Sequence, residues 1–198
     1  MAAPHNISLK ISDVSAMVGT RLLFGNVSFN LAPKEAMILR GPNGIGKTTL
    51  LEIIAGLTNP HSGRIELTQN SDIPINTHFL GHQNGLKLSQ SVLKNLEFFN
   101  HFNFDDQPLN HEGMQAVITQ MNLNSLIDLP VSVLSAGQKR RVAFTRLLLS
   151  DRLIWVLDEP TSALDDKSSR LIEQKCHCLL YTSPSPRDQR GSRMPSSA

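Results

Sequence analysis

The sequence predicts an α/β fold with a parallel-sheet core, an antiparallel sheet near the N-terminus and a helical subdomain in the middle. Three observations carry that reading. Ile7 to Val14 and Val27 to Leu31 alternate apolar and polar residues, as half-buried antiparallel strands do. Ala36 to Arg40 and Leu153 to Asp158 are nearly continuous apolar runs, which suits central strands covered on both faces. Gln90 to Phe99 and His111 to Met121 carry apolar residues at three and four spacing, the period of helices.

Taken in order, the two alternating strands come first and the buried run at Ala36 follows. The glycine-rich segment GPNGIGKTT, Gly41 to Thr49, leaves that run directly. TLLEIIAGL then supplies a helix with Gly56 near its end. GRIEL (Gly63 to Leu67) and THFLG (Thr77 to Gly81), each bounded by turn residues, are further strands. LSAGQKRR, Leu134 to Arg141, opens a helix that continues through VAFTRLLL, and LIWVLD is the second buried strand. No repeat or coiled-coil insertion interrupts this order.

At 198 residues and 40 % hydrophobic, the chain can bury one substantial core. Its longest apolar runs, such as Arg146 to Ser150, fall far short of the roughly 20 residues of a membrane-crossing helix. The start, Met1 to Lys10, lacks the basic-then-apolar pattern of a signal peptide, so the expectation is a cytosolic chain that meets a membrane only by docking. Cys176, His177 and Cys178 match no closed tetrahedral metal pattern.

From Cys178 the composition turns abruptly to Ser, Pro and Arg, with no hydrophobic periodicity after Tyr181. CLLYTSPSPRD resembles the in-frame translation of a transposase-type sequencing adapter, and GSRMPSSA resembles its distal end. The expected organisation is therefore a domain over residues 1–177 and a non-native, disordered tail over 178–198. The chain has 19 basic and 17 acidic residues; setting aside Arg187, Arg190, Arg193 and Asp188 leaves the body neutral. Its apparent basicity is thus no argument for nucleic acid or an anionic membrane.

Gly41, Gly44 and Gly46 permit a tight loop whose backbone N–H groups point inward, and a helix beginning near Lys47 adds a positive dipole end. The phosphate-binding set is Gly41, Asn43, Gly44, Gly46, Lys47, Thr48 and Thr49. In this pattern Lys47 reaches the β- and γ-phosphates and Thr48 offers its hydroxyl to Mg²⁺. The run ending at Asp158 places that carboxylate at the carboxyl end of a strand, where open α/β sheets bind ligands, able to hold Mg²⁺ through water. Glu159 beside it is placed to polarise the water that attacks the γ-phosphate. Arg140 and Arg141 read as a solvated charged helix face.

LSAGQKRR followed by LIWVLDEPTSALD resembles the ATP-binding cassette (ABC) ATPases, and the resemblance spans residues 1–177. It implies a P-loop NTPase of the ABC nucleotide-binding type, with ATP and Mg²⁺ as cofactors. Ser135, Gly137 and Gln138 would cap the γ-phosphate held on the opposite protomer's P-loop, so catalysis implies a head-to-tail dimer. Gln83 corresponds to the Q-loop glutamine, which touches Mg²⁺ and the attacking water and couples to a membrane subunit; Asp165 matches the D-loop. Three departures stand out. Met17 and Val18 occupy the place of the aromatic that stacks on adenine, and Ala136 replaces the commoner signature glycine. The family's switch histidine belongs on a later strand than His177 reaches, so the expectation is a domain truncated at its C-terminal end, with nucleotide binding, crippled hydrolysis and an exposed sheet edge.

Within the family, LGHQNGLK around Gln83 and VSVLSAGQKRRVAFTRLLL look most like the ATPase of the bacterial haem exporter for cytochrome c maturation. That implies multi-span membrane permease subunits as partners, no nucleic acid, and a peripheral place on the cytoplasmic face of the inner membrane. His78, His82, His101 and His111 read as ordinary polar residues rather than haem ligands. The alternatives are the ATPase of a lipid, drug or lipoprotein exporter, or an inactive nucleotide-binding fragment.

Overall fold

A computed structural model describes residues 8–67, 77–102, 108–149, 152 and 154–181. The chain runs β1 (Leu9–Val18), β2 (Arg21–Leu31), α1 (Lys47–Ile54), β3 (Ser62–Leu67), β4 (Thr77–Leu80), α2 (Val92–His101), α3 (His111–Gln120), α4 (Ala136–Thr145), β5 (Ile154–Leu157) and α5 (Asp166–Tyr181). Short 3₁₀ turns precede and follow α4. The antiparallel sheet has the order β2-β1-β3, and β4 pairs with β5 in parallel.

The two alternating segments near the N-terminus prove to be parts of one long hairpin rather than two short strands. Asp13 and Asn26 adopt left-handed backbone, and the register slips between Ile11 and Val14, so the ladder bends without ending. Ser28 Oγ bridges the irregularity, accepting from Asp13 N at 2.8 Å while donating to Asp13 Oδ1 at 2.9 Å.

The strand expected over residues 36–40 is not formed. Met37 is 44 % and Ile38 74 % exposed, and only Leu39 packs inward. Apolar sequence favours a buried strand, but a strand exists only where neighbours satisfy its N–H and C=O groups. Among the described residues no ladder flanks this segment; β5 pairs with β4 instead.

Two cores lie on either side of the β4–β5 pair. Val156 joins Leu9, Ile11, Val14, Leu50, Ile53 and Ile54, the core between the antiparallel sheet and α1. Its neighbours Trp155 and Leu157 face the other way, packing against the helical core of Leu96, Ile118, Val142, Phe144 and Leu147. Phe144 meets Trp155 edge to face at 5.7 Å between ring centroids. Ser91 and Asn110 cap α2 and α3, accepting from Lys94 N at 3.3 Å and Gly113 N at 2.9 Å.

Helix α5 continues to Tyr181, so residues 178–181, which composition assigned to the tail, are helical; residues 182–198 of that tail lie outside the described residues. Phe144 is fully buried at the contact between α4 and β5. Phe144→Ala should therefore lower stability by about 3–5 kcal/mol in urea unfolding, and a loss below about 1 kcal/mol would mean that the helical core is not packed as described.

Candidate active site

Parallel pairing ends β4 and β5 at the same level, with Leu80 opposite Leu157. The chain leaves β5 through Asp158 and Glu159 and leaves β4 through Gly81 into a bend at Gln83. Asp158 N donates to Leu80 O at 2.8 Å, which ties the two exits together. The Asp158 side chain is 7 % exposed and its Oδ2 accepts from Thr48 Oγ1 at 2.9 Å. Thus the helix after the glycine loop and the carboxylate at the strand end, 110 residues apart in sequence, meet in one place. Glu159 is exposed, and its backbone has φ +46°, a left-handed conformation that costs a non-glycine residue of order 1–3 kcal/mol.

Helix α1 opens at Lys47 with no side-chain cap and no acidic residue in its first turn, so its leading N–H groups remain available to an anion. Gly46 precedes it at φ +100°, and a Cβ there would lie 2.8 Å from the Phe24 ring of β2. The hairpin therefore packs against the loop closely enough that only glycine fits. Lys47 folds back across the loop, donating from Nζ to Gly41 O at 2.9 Å and Pro42 O at 3.0 Å. Asn43 is exposed in the loop and Thr49 half-buried in the first turn of α1.

Ser135 and Gln138 make a reciprocal cap at the start of α4. Gln138 N donates to Ser135 Oγ at 3.2 Å, and Ser135 N donates to Gln138 Oε1 at 2.9 Å. Gly137 lies against the 161–164 turn, where a Cβ would sit 2.8 Å from Ala163 O. Among the described residues no hydrogen bond joins 134–138 to the glycine loop of the same chain. The structure thus brings Thr48 and Asp158 into contact and leaves Ser135, Gly137 and Gln138 on a separate surface.

Arg140 departs from its expected place on a solvated helix face: it is 3 % exposed. Its position on α4 explains why. Residues 143 and 144, three and four places on, share its face of the helix and are fully buried, so the side chain is carried inward towards β4 and β5. There it finds carbonyls on both strand exits: Nη1 donates to Gly81 O at 2.6 Å and Asn84 Oδ1 at 3.3 Å, and Nε to Pro160 O at 3.4 Å. Nη2 donates to Glu159 O at 2.8 Å and to Asp158 O. Burial lowers its pKa from the ordinary arginine value, against the raising influence of Asp158 and Glu159. Arg146, one helical turn and a half further on, donates to Phe79 O at 3.0 Å and Asn84 O at 3.1 Å and lies over the Phe99 ring.

Sequence reasoning missed Arg140, Arg146 and Asn95. Asn95, 3 % exposed, accepts from Lys87 N at 2.8 Å and donates to Lys87 O at 3.1 Å, pinning the chain beyond Gln83. A signal existed for Arg140 and Asn95, which lie beside buried apolar residues on their helices, whereas Arg146 opens the 3₁₀ turn after α4. His177 is exposed on α5 rather than at a strand end.

Asp165 caps α5, accepting from Ser168 N at 2.7 Å. Its carboxyl is held below the ordinary 3.8 by hydrogen bonds from the Ser168 hydroxyl and backbone N–H. A lowered folded-state pKa means that the cap contributes fully above 3.8 and is lost as pH falls through the lowered value. The Ser168 amide shift should accordingly titrate below 3.8 and stay flat in Asp165→Asn; a midpoint at or above 3.8 would contradict the cap.

Comparison with known proteins agrees with this geometry. The ABC transporter family profile matches residues 24–162. The chain is 41 % identical over 167 residues to the cytochrome c biogenesis ATP-binding export protein CcmA of Rhizobium meliloti (strain 1021), covering 82 % of this chain and 81 % of that protein. It is 44 % identical over 165 residues to the protein of the same name from Bartonella henselae, covering 81 % and 76 %. Among solved structures, a putative ABC transporter ATP-binding protein from Pyrococcus furiosus superposes with TM-score 0.77 at 25 % identity, covering 87 % of this chain and 86 % of that one. The dimeric post-hydrolysis ATP-binding cassette MJ0796 bound to ADP and Pi does so with TM-score 0.75 at 26 % identity, covering 87 % and 83 %. With the family profile spanning most of its length and identity above 40 % to two relatives covered over more than two thirds of their length, the chain belongs to the ABC transporter ATP-binding family.

Proposed function

We propose that this chain is the ATP-hydrolysing subunit of an ABC exporter serving cytochrome c maturation, energising haem delivery. The observation that carries the hydrolytic part is the Thr48 to Asp158 hydrogen bond, which joins the phosphate loop to the strand end bearing Glu159. Identity above 40 % to two CcmA proteins over four-fifths of this chain carries the cargo.

In this reading Gly41, Asn43, Gly44, Gly46 and Thr49 wrap the ATP phosphates with backbone N–H groups, and Lys47 exchanges Gly41 O and Pro42 O for phosphate oxygens. Thr48, Asp158 and Gln83 form an all-oxygen donor set that suits Mg²⁺, and the 2.9 Å spacing of the first two oxygens fits such a site. When bound, the ion neutralises charge on the β- and γ-phosphates. Glu159, exposed beside Asp158, orients and deprotonates the attacking water, and Gln83 holds that water from the other strand exit. The exposed Met17, Val18 and Leu22 at the β1–β2 turn offer apolar contact to adenine without a stacking ring.

Ser135, Gly137 and Gln138 cap the γ-phosphate of a second copy in a head-to-tail dimer; their separation from the loop of their own chain supports this. Among the described residues no helix is long and apolar enough to cross a membrane. In this reading, which the likeness to the CcmA export proteins supports, the chain docks on multi-span permease subunits at the cytoplasmic face of the inner membrane.

Glu159→Gln should retain nucleotide binding and lower ATP turnover by about 10²-fold or more. Unchanged turnover would remove Glu159 from the chemistry. For the cargo, the chain expressed in a bacterium deleted for its own cytochrome c biogenesis ATPase should copurify with that cell's cytochrome c biogenesis membrane subunits and restore haem-stained c-type cytochromes only as far as its hydrolysis allows, which its Glu159→Gln form should not do at all. Failure of the active form, together with copurification of a lipid or lipoprotein permease, would reassign the exporter.

A further inference from the structure

We propose that Arg140 is a positioning residue for hydrolysis: its buried guanidinium holds the Gln83 bend and the Glu159 turn in fixed relation to each other and to α4. The proposal rests on the hydrolytic reading above. Its geometry is one planar fork serving two loops. Gly81 and Asn84, which bracket Gln83, take Nη1; Asp158, Glu159 and Pro160, which bracket the candidate base, take Nη2 and Nε. Both loops are thereby referred to a single rigid plane.

Two features argue that this is more than filling of a buried space. First, all these acceptors are carbonyl oxygens, four of the backbone and one of the Asn84 side chain, so the group orders loops rather than neutralising a buried acid. A cation taken almost wholly out of water is costly unless its donors are satisfied, and here the five contacts do so. Second, the Glu159 turn is strained at φ +46°, and a strained turn persists only where its surroundings over-determine it. Within the turn Ser162 N donates to Glu159 O at 3.1 Å, and Nη2 of Arg140 adds a hold from outside it at 2.8 Å.

The consequence concerns coupling. Helix α4 begins at the Ser135 cap, the surface that meets a second copy in the dimer reading. Arg140 lies just over one turn along, so a small shift of α4 on dimer closure is transmitted at once to both loops. Arg146 holds the outer side of the same bend, through Phe79 O and Asn84 O, so Gln83 is gripped from two turns of the chain.

Lysine keeps the charge at this position and loses the fork, which separates positioning from electrostatics. In the 198-residue chain, Arg140→Lys should lower kcat for MgATP about tenfold or more, while metal-free ATP affinity and KM stay within about twofold. Mn²⁺ affinity of the nucleotide complex, read by electron paramagnetic resonance, should fall about fivefold, because Gln83 and Asp158 lose their mutual placement. In a Gln83→Ala background the same lysine change should cost less than about threefold in kcat, since the two residues act through one arrangement. A kcat and Mn²⁺ affinity within about twofold of the parent would overturn the proposal, as would an equal tenfold loss in both backgrounds, the mark of a residue that only holds the fold. Arg140→Met tests the charge as well; should it not fold, the lysine variant decides alone. A parent chain that binds ATP without turnover would sink the hydrolytic reading, and the Mn²⁺ measurement would still judge Arg140.

Discussion

The four-residue parallel pairing of β4 with β5 is the constraint on which the rest of the structure depends. Parallel strands deliver their carboxyl ends to the same edge, so the bend holding Gln83 and the turn holding Asp158 and Glu159 emerge side by side. The pleat does a second job. Val156 turns into the core with α1, while Trp155 and Leu157 turn into the helical core, so one short strand fixes the phosphate loop and the signature helix from opposite faces. Slipping the pairing by one residue would exchange those faces and separate Asp158 from Thr48.

Onto that pair the molecule adds polar fastening rather than more apolar surface. Arg140, Arg146 and Asn95 each donate to a main-chain carbonyl within residues 79–87. A loop cannot bury its backbone without partners, and these three side chains supply them from α2, from α4 and from the 3₁₀ turn that follows α4. Gln83 itself is left exposed at the tip of a bend whose base is held. That division suits the role proposed for Gln83, in which the side chain meets ligand and partner while its backbone stays registered to Glu159.

Much of this was legible in the sequence, and the reasons differ by element. The glycine loop and the helix after it could be read because their residues are contiguous: the glycines, Lys47 and Thr48 lie within nine residues and lead straight into α1. Asp158 and Glu159 were legible because an apolar run ending in acids predicts its own strand end. The hairpin's true length was hidden by Gly25 and Asn26, which look like breakers and act as a bulge. The apolar run at 36–40 misled because periodicity reports burial potential, whereas a strand also needs neighbours. Arg140 misled for the opposite reason: charge overrode position, although the fully buried Ala143 and Phe144 on its helix face marked it as inward.

The split between what one chain assembles and what it leaves open has a physical basis. Within one copy a hydrogen bond joins Thr48 to Asp158, and Arg140 holds the main-chain carbonyls of Asp158 and Glu159, so the loop and the two acids are tied together. The signature helix caps itself through Ser135 and Gln138, leaving its N-terminus formed before any ligand arrives. Gly137 presses that N-terminus against Ala163 O, so the helix start and the Asp165 cap of α5 form one surface. A donor surface formed at the start of α4, apart from the phosphate loop of its own chain, is what the proposed head-to-tail dimer uses. Arg140 then connects α4 to the rest, since its side chain donates both to the bend that holds Gln83 and to the turn that holds Glu159.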